Sequence, residues 1–508
     1  MFSLFDKVQD QYIILSFIFG LACFAFLRTF LAIIKVRNSI TFLQLSPNLE
    51  SPVITNDFYI LVPLLREQGM IDSLYKMYRQ LDNRIQIVFV TTEKEDCDYD
   101  VRLKEKLESN IQRLLDIKDK KNFVQVSQGI FFKEYAEYVF DSLQGQLTRQ
   151  EKINQIWSLY FDQPRTKDFI MNLQDKRFIH IHYPFTEGTK AHQLNYACKY
   201  LFKEKIVTSE DYFVFYDADS TFSQDVFDLA RHLIFCTQSS VIQQSAIYTK
   251  NFEHFNNTFK DKLVSNFGYI QTRWTLAHEI PRLRHQLHPF LSLFESGHSV
   301  GHGLMVKTSV FQRVDFFPEI FLNEDMVLGL IFRLNGYKIH VLPKLEVCNT
   351  PIFLNSLVNQ YRSWFYGVFS YPKYILFCWE NGYNKILSTV WGIRYFVRSL
   401  IWLLNSYFWF LLIVTSLAYS LYMFNIYTLV VFLFVIFTFF SYSIGSILLM
   451  NFQMKKLSND LQSYFNWKNI FTMPISSLLY SVGPTLGLFD YIRSFILNMN
   501  IIKSKTER

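Results

Sequence analysis

The 508-residue chain has six cysteines, at positions Cys23, Cys97, Cys198, Cys236, Cys348 and Cys378, and no two form a Cys-x-x-Cys pair. That scatter excludes a zinc ribbon or a disulfide framework and suits a reducing compartment. Nucleic-acid motifs are missing as well. The net charge of +7 comes with basic residues beside apolar runs, which fits anionic lipid better than DNA or RNA. Between Ser399 and Met450 there is no Asp, Glu, Lys, Arg or His, which argues against an ion-coupled carrier. No basic segment precedes the first apolar run, as a signal peptide would require; Asp6 and Asp10 outnumber Lys7 there. No internal repeat stands out.

What remains is a polar domain joined to membrane segments, with 50% of residues hydrophobic and 19% charged. Tyr12 to Val36 suits one spanning helix within an N-terminal segment 1–40. Arg28, Lys35 and Arg37 at its far end place the following domain in the cytoplasm by the positive-inside rule. From Asp57 to about Thr350, strand-like and helix-like stretches alternate, the mark of an α/β sheet domain (55–353). Phe58–Val62, Ile85–Val90, Phe178–His182, Tyr212–Tyr216 and the stretch from Val241 read as strands. A charged stretch of helical periodicity, about 96–177, interrupts them as an insertion. Residues 354–398 suit amphipathic interface helices, and 399–450 a transmembrane hairpin turning at Asn425. Lys455-Lys456 returns that hairpin to the cytoplasmic side. Residues 469–498, broken by Pro474 and Gly483-Pro484 and followed by Lys503, Lys505 and Arg508, suit a re-entrant or interfacial segment.

Asp217-Ala-Asp219 closes a buried strand. Alternate side chains of an extended chain share a face, so two hard oxygen donors can meet at the strand end where α/β sheets bind ligands. They suit Mg²⁺ or Mn²⁺ carrying a diphosphate, or a plain Asp/Ser turn. Lys190 follows Gly188-Thr189 at a helix start, an anion site or an ordinary surface lysine. Glu324-Asp325 opens an apolar helix. It is a capping pair, or a base for an acceptor hydroxyl. His298-Ser-Val-Gly-His302-Gly303 offers close backbone approach to a sugar, or a glycine-rich turn. Gln360-Tyr-Arg362-Ser-Trp364 combines an amide, a cation and an indole that packs on sugars or marks a membrane interface.

In this order the motifs resemble the membrane-bound family 2 glycosyltransferases, the group of cellulose and hyaluronan synthases. The matching residues are Val62-Pro63 with Glu67, Lys190, Asp217-Ala-Asp219, Gly301-His302-Gly303, Glu324-Asp325, and Gln360 with Trp364. The resemblance implies an α/β fold: a GT-A (Rossmann-like) cytoplasmic domain plus transmembrane and interfacial α-helices. It implies inverting transfer from a nucleotide sugar, a UDP-sugar by preference, to a lipid-linked or polysaccharide acceptor. The enzyme would be a multi-pass inner-membrane protein in contact with membrane lipid, with no nucleic-acid partner and with room for an oligomer. Asp217 and Asp219 would hold the metal and diphosphate, and Lys190 would neutralise phosphate charge. Asp325 would be the base, with Glu324 beside it. Pro63, Glu67, Glu93, Gln360 and Arg362 would serve the donor, and His302, Gly303 and Trp364 the acceptor. Family members commonly carry an Asp pair after the second strand; here the chain reads Thr91-Thr-Glu93-Lys-Glu-Asp96, and Glu93 or Asp96 stands in. Ser363 rather than Arg precedes Trp364. A processive polysaccharide synthase with coupled secretion is the rival enzyme, and a membrane scaffold or transporter the rival outside catalysis.

Overall fold

A computed structural model of the protein describes residues 2–44, 56–173, 175, 177–255, 258–455, 457 and 467–497. Lys456, Lys503, Lys505 and Arg508, counted above among the basic residues near membrane segments, lie outside the described residues. The strands in chain order are β1 (Phe58–Pro63), β2 (Ile85–Thr92), β3 (Phe178–Tyr183), β4 (Tyr212–Phe215), β5 (Val241–Gln243), β6 (Ala246–Tyr248), β7 (Leu304–Lys307), β8 (Ile339–Val341) and β9 (Glu346–Cys348). The chain divides into two compact units: 51–242 with 301–320, and 1–50 with 243–300 and 321–508.

The first, the sheet unit, is α/β. Its strands run in the order β3-β2-β1-β4-β7. β3, β2, β1 and β4 pair parallel, and β7 runs antiparallel to β4. Phe58 to Val62 and Tyr212 to Phe215 are buried, as continuous apolar strands covered on both faces must be. β5 continues the sheet beyond β7, where the Lys307 N–H donates to Ser240 O at 2.8 Å.

Between β2 and β3 lies a run of helices from Lys94 to Met171. It has its own apolar core, including Leu107, Phe123, Val139, Ile156 and Tyr160, so the insertion is a packed helical body. One buried carboxylate joins it to the sheet. Glu95 accepts from the Arg66 N–H at 3.2 Å, Gln68 Nε2 at 3.1 Å, the Thr166 N–H at 2.9 Å and Thr166 Oγ1 at 3.0 Å. Four donors compensate the desolvation of that charge.

Among the described residues, the second, the membrane-helix unit, contains three helices long and apolar enough to cross a membrane: Tyr12–Leu43, Lys385–Met423 and Ile426–Met454. The first belongs to a longer helix, Phe2–Leu43. The hairpin's leading helix begins at Lys385, fourteen residues before the expected start at Ser399. The cause is local: Asn384 caps it, accepting from the Leu387 N–H at 3.0 Å, and no proline interrupts the 39 residues that follow. Residues 354–398, expected at the interface, are therefore two helices, Leu354–Phe369 and Tyr371–Glu380, plus the beginning of the long one. Asn425, at the expected turn, caps the return helix, accepting from the Thr428 N–H at 3.0 Å. The last stretch is broken into Trp467–Thr472, Met473–Leu479 and Val482–Leu497.

Between Ser399 and Met450 the hairpin has no Asp, Glu, Lys, Arg or His of its own, yet it receives an arginine. Arg273, on the Phe259–Trp274 helix, donates to Tyr442 O at 2.6 Å and Ser446 Oγ at 2.7 Å, with its guanidinium 4.4 Å from the Tyr442 ring. Ser441–Gly445 is a π-helical turn. Such a turn shifts the backbone ladder, and here a guanidinium takes one of its carbonyls.

Candidate active site

In the sheet unit three of the motifs converge at the end of β4. The strand stops at Phe215, and Asp217–Ser220 is a turn. The Ser220 N–H donates to Asp217 O at 3.0 Å and the Asp217 N–H to Ser220 Oγ at 3.2 Å. The two carboxylates thus sit on a turn rather than on the extended strand that pleat reasoning assumed, and both are partly exposed. Lys190 Nζ donates to Asp217 Oδ1 at 2.5 Å and to Gly301 O at 2.9 Å. Gly301 is held there because the Gly303 N–H donates to Phe215 O at 2.8 Å. Gly303 has φ +66°, a left-handed turn that glycine adopts without strain. His302 lies between these two glycines and is half-buried.

Lys190 is aimed by the start of its helix, Lys190–Lys203. The Thr189 N–H donates to His192 Nδ1 at 3.2 Å, and Gly188 turns at φ +109°, where an added Cβ would lie 2.9 Å from Tyr183 Oη. The rest of that motif is a clamp: Asn195 Nδ2 donates to Phe317 O and Glu319 Oε1, both at 2.8 Å, and its Oδ1 accepts from the Phe317 N–H at 3.0 Å.

Glu93 follows β2 and pairs with His182 of β3, Oε2 to Nε2 3.0 Å. His182 Nδ1 meets Thr91 Oγ1 at 2.9 Å, and Thr91 meets His180 Nε2 at 2.8 Å. This chain of side chains was not singled out from sequence. Its only signal is that His180 and His182 alternate on one strand beside a strand ending in Thr and Glu. Asp96, the alternative to Glu93, is engaged by Lys167 at 2.6 Å and Arg165 at 3.3 Å, which ties the insertion down. Pro63 ends β1, and the Glu67 N–H donates to Thr166 Oγ1 at 3.1 Å.

In the membrane-helix unit, Glu324 and Asp325 open the Glu324–Leu334 helix. Ser299 Oγ donates to the Asp325 carbonyl, and Asp325 Oδ1 accepts from the Met326 N–H at 2.8 Å. Glycines allow the close packing behind this pair. A Cβ on Gly329 would lie 2.6 Å from Ser299 N, and one on Gly367 would lie 2.2 Å from Asn323 Cγ. The Leu354–Phe369 helix that carries Gln360 therefore touches the residue just before Glu324. Burial pushes the Tyr374 hydroxyl well above its ordinary pKa, and the nearby Asp325 charge adds to it.

The Gln360 motif divides. Gln360 is buried. Trp364 joins an aromatic group, with ring centroids 5.6 Å from Tyr361 and 6.2 Å from Tyr248. Arg362 forms a two-point pair with Asp490, Nη2 to Oδ1 2.5 Å, and that carboxylate holds the guanidinium above its ordinary pKa. Gly483 and Gly487 allow the Val482–Leu497 helix to approach closely enough for this pair: a Cβ on Gly487 would lie 2.7 Å from Arg362 O.

Mg²⁺ or Mn²⁺ fits the donor set at the β4 turn, two partly exposed carboxylates at the end of a parallel strand.

No curated protein matches the chain. Among solved structures it is similar to the mannosyltransferase PcManGT from Pyrobaculum calidifontis in complex with GDP-Man and Mn²⁺, at 11% identity, covering 93% of this chain and 99% of that one, with a TM-score of 0.40. It is also similar to S. aureus TarS 1-349 in complex with UDP-GlcNAc, at 10% identity, covering 87% and 92%, with a TM-score of 0.32. Residues 212–442 match the model of the glycosyl transferase family group 2. That stretch contains Asp217, Asp219, the Gly301–Gly303 loop, Glu324-Asp325, Gln360 and Trp364, while Pro63, Glu67, Glu93 and Lys190 precede it. The match to the glycosyl transferase family group 2 is confined to residues 212–442, less than half of the chain.

Proposed function

We propose that the protein is an inverting membrane glycosyltransferase. It moves a hexosyl group from a nucleotide sugar, a UDP-sugar by preference, to a lipid-linked or polysaccharide acceptor at the cytoplasmic face of the inner membrane. The observation that carries this reading is the Lys190–Asp217 pair on the turn after β4. A lysine and two carboxylates gathered at the C-terminal end of a parallel strand suit a diphosphate and its metal. Asp217 and Asp219 would hold Mg²⁺ or Mn²⁺, which supplies charge stabilisation for the departing diphosphate. Lys190 neutralises phosphate charge from the start of its helix. Glu93, with His182 behind it, accepts donor hydrogen bonds from the base, and Pro63 and Glu67 border the nucleotide. Asp325 takes the proton from the acceptor hydroxyl, and Glu324 stands beside it. Gln360 and Arg362 position the nucleotide. His302, Gly303 and Trp364 receive the acceptor. Arg28, Lys35 and Arg37 at one end of the first span favour the cytoplasmic orientation.

The test is a screen of nucleotide sugars with detergent-purified protein, following sugar transfer and diphosphonucleoside release. Asp219→Ala should abolish turnover, and chelation of divalent metal should do the same. Asp325→Asn should lose turnover by about 10²–10⁴-fold while the donor still binds. Full turnover by Asp325→Asn sinks the assignment of the base, and activity in chelator sinks the role of the aspartates.

A further inference from the structure

The Lys385–Met423 helix is 39 residues long, about 58 Å at 1.5 Å per residue, nearly twice the roughly 30 Å hydrocarbon core. Its exposed face is nevertheless apolar from its first turn onward: Ile386, Val390, Ile393, Val397, Ile401 and Leu404 form one stripe. The helix's cytoplasmic half therefore offers lipid the same surface as its spanning half.

A surface turn continues that stripe. After the Ile280–His285 helix the chain bends through Pro289, with His288 Nδ1 accepting from the Phe290 N–H at 3.2 Å and the Leu291 N–H at 3.3 Å. The turn is fastened to the long helix. Trp391 Nε1 donates to Leu293 O at 3.0 Å, and the Arg394 guanidinium donates to Phe294 O. Just beyond, Glu295 is buried and accepts from Arg394 at 2.7 Å and Arg398 at 3.1 Å. Phe290 is 64% exposed and Leu293 58%, and Phe294 is exposed beside them. Large apolar side chains presented together, on a turn this firmly held, mark an interaction surface.

The charge around the turn selects the partner. Lys35, Arg37 and Arg284 are exposed. Arg284 lies 4.8 Å above the Phe42 ring and donates to Asn38 O at 3.4 Å, so it stands beside the end of the Phe2–Leu43 helix. Arg394 is partly exposed. Between Ile280 and His298 the sole carboxylate is Glu295, which is buried between two arginines. The rim is cationic and the tip is apolar, the pairing that an anionic bilayer surface accepts.

We propose that the Pro289–Phe294 turn is a membrane-dipping wedge. Phe290, Leu293 and Phe294 enter the headgroup–acyl boundary beside the first half of the Lys385–Met423 helix, and Lys35, Arg37 and Arg284 bind phosphates of anionic lipids around them. The wedge rests on the membrane embedding of that helix and is independent of the transfer chemistry.

The experiment uses the full chain in proteoliposomes, with the exposed Cys97 and Cys236 changed to serine. Bimane is attached at Phe290→Cys, at Leu293→Cys in a second protein, and at Tyr138→Cys on the helical insertion as an exposed control. A lipid bearing a doxyl group near its headgroup should remove most of the emission at 290 and 293 and none at 138, while aqueous iodide does the reverse. Iodide quenching at 290 and 293 equal to that at 138, with no doxyl effect, overturns the wedge. Doxyl quenching should also be stronger in bilayers containing phosphatidylglycerol than in phosphatidylcholine alone. Combining Lys35→Gln, Arg37→Gln and Arg284→Gln should erase that difference. Equal quenching of the parent protein in the two bilayers overturns the anionic rim.

Discussion

In the sheet unit two partly exposed pairs stand close to strand ends. Lys190 and Asp217 are each about a third exposed and meet across a turn, and Glu93 meets His182 in a similar setting. In the membrane-helix unit Arg273 and Asn266 lie buried among helices, bonded to carbonyls, hydroxyls and amides. Arg273 takes Tyr442 O and Ser446 Oγ, and Asn266 Nδ2 donates to Thr472 Oγ1 at 2.9 Å. Exposed ion pairs contribute little to stability and can exchange partners for a ligand. A buried cation bonded to a helix carbonyl cannot be released without stranding that group. The difference separates partly exposed pairs that a ligand can reach from buried groups that hold helices together.

Substitutions that remove one without the other test that separation. The largest effect is expected at the β4 turn, where Asp217→Ala should reduce transfer by about 10²–10³-fold or more. Its thermal midpoint should stay close to the parent's; a large drop would make Asp217 architectural. Arg273→Ala should do the opposite, lowering stability by roughly 1–3 kcal/mol for the groups left unpaired. Thermal unfolding in detergent, with donor binding measured on the folded fraction, reads both effects.

Glu95→Ala places a second architectural charge in the sheet unit. It strands the Thr166 and Arg66 N–H groups and Gln68, at about 1–3 kcal/mol, and should speed protease cleavage between residues 94 and 171. Cleavage at the parent's rate would mean that the insertion's own core suffices to hold it.

The smallest effect is one of pH. His298 is buried between Trp274 and Tyr395, with ring centroids at 5.9 and 6.3 Å. Neither ring nitrogen has a hydrogen-bond partner among the described residues. Burial holds its pKa well below the ordinary histidine value, and Arg282 and Arg398 add to the shift. Below about pH 6.5 the unfolded chain takes a proton that the folded chain refuses, so stability should fall as pH drops through that range. His298→Phe should flatten the melting midpoint between neutral pH and pH 5. An unchanged slope would assign the acid sensitivity to other groups.

Much of this molecule is legible in its sequence because local patterns carry it. Phe58–Val62 and Tyr212–Phe215 are unbroken apolar runs, and such runs are buried strands wherever helices cover both faces of a parallel sheet. Asn425 separates two apolar stretches and caps the second. The Gly188-Thr189-Lys190 and Asp217-Ala-Asp219 motifs are each visible as a few neighbouring residues of distinctive type, and the fold brings Lys190 to Asp217. The long helix begins at Lys385, before the apolar run from Ser399, because a buried Glu295, about a hundred positions earlier, neutralises Arg394 and Arg398 on an unbroken helix.

Other features could not be read locally, since they depend on residues far apart along the chain. Glu93 and His182 are 89 positions apart, Arg362 and Asp490 are 128 apart, and Arg273 is 169 from Tyr442. No periodicity or short motif encodes such pairs, because the partner is chosen by how helices and strands pack. By itself the sequence determined the α/β class and the helices long and apolar enough to cross a membrane, both consequences of side-chain type and local spacing. Only the tertiary structure decided which charges are spent on packing, for burial and partnership are properties of the folded chain.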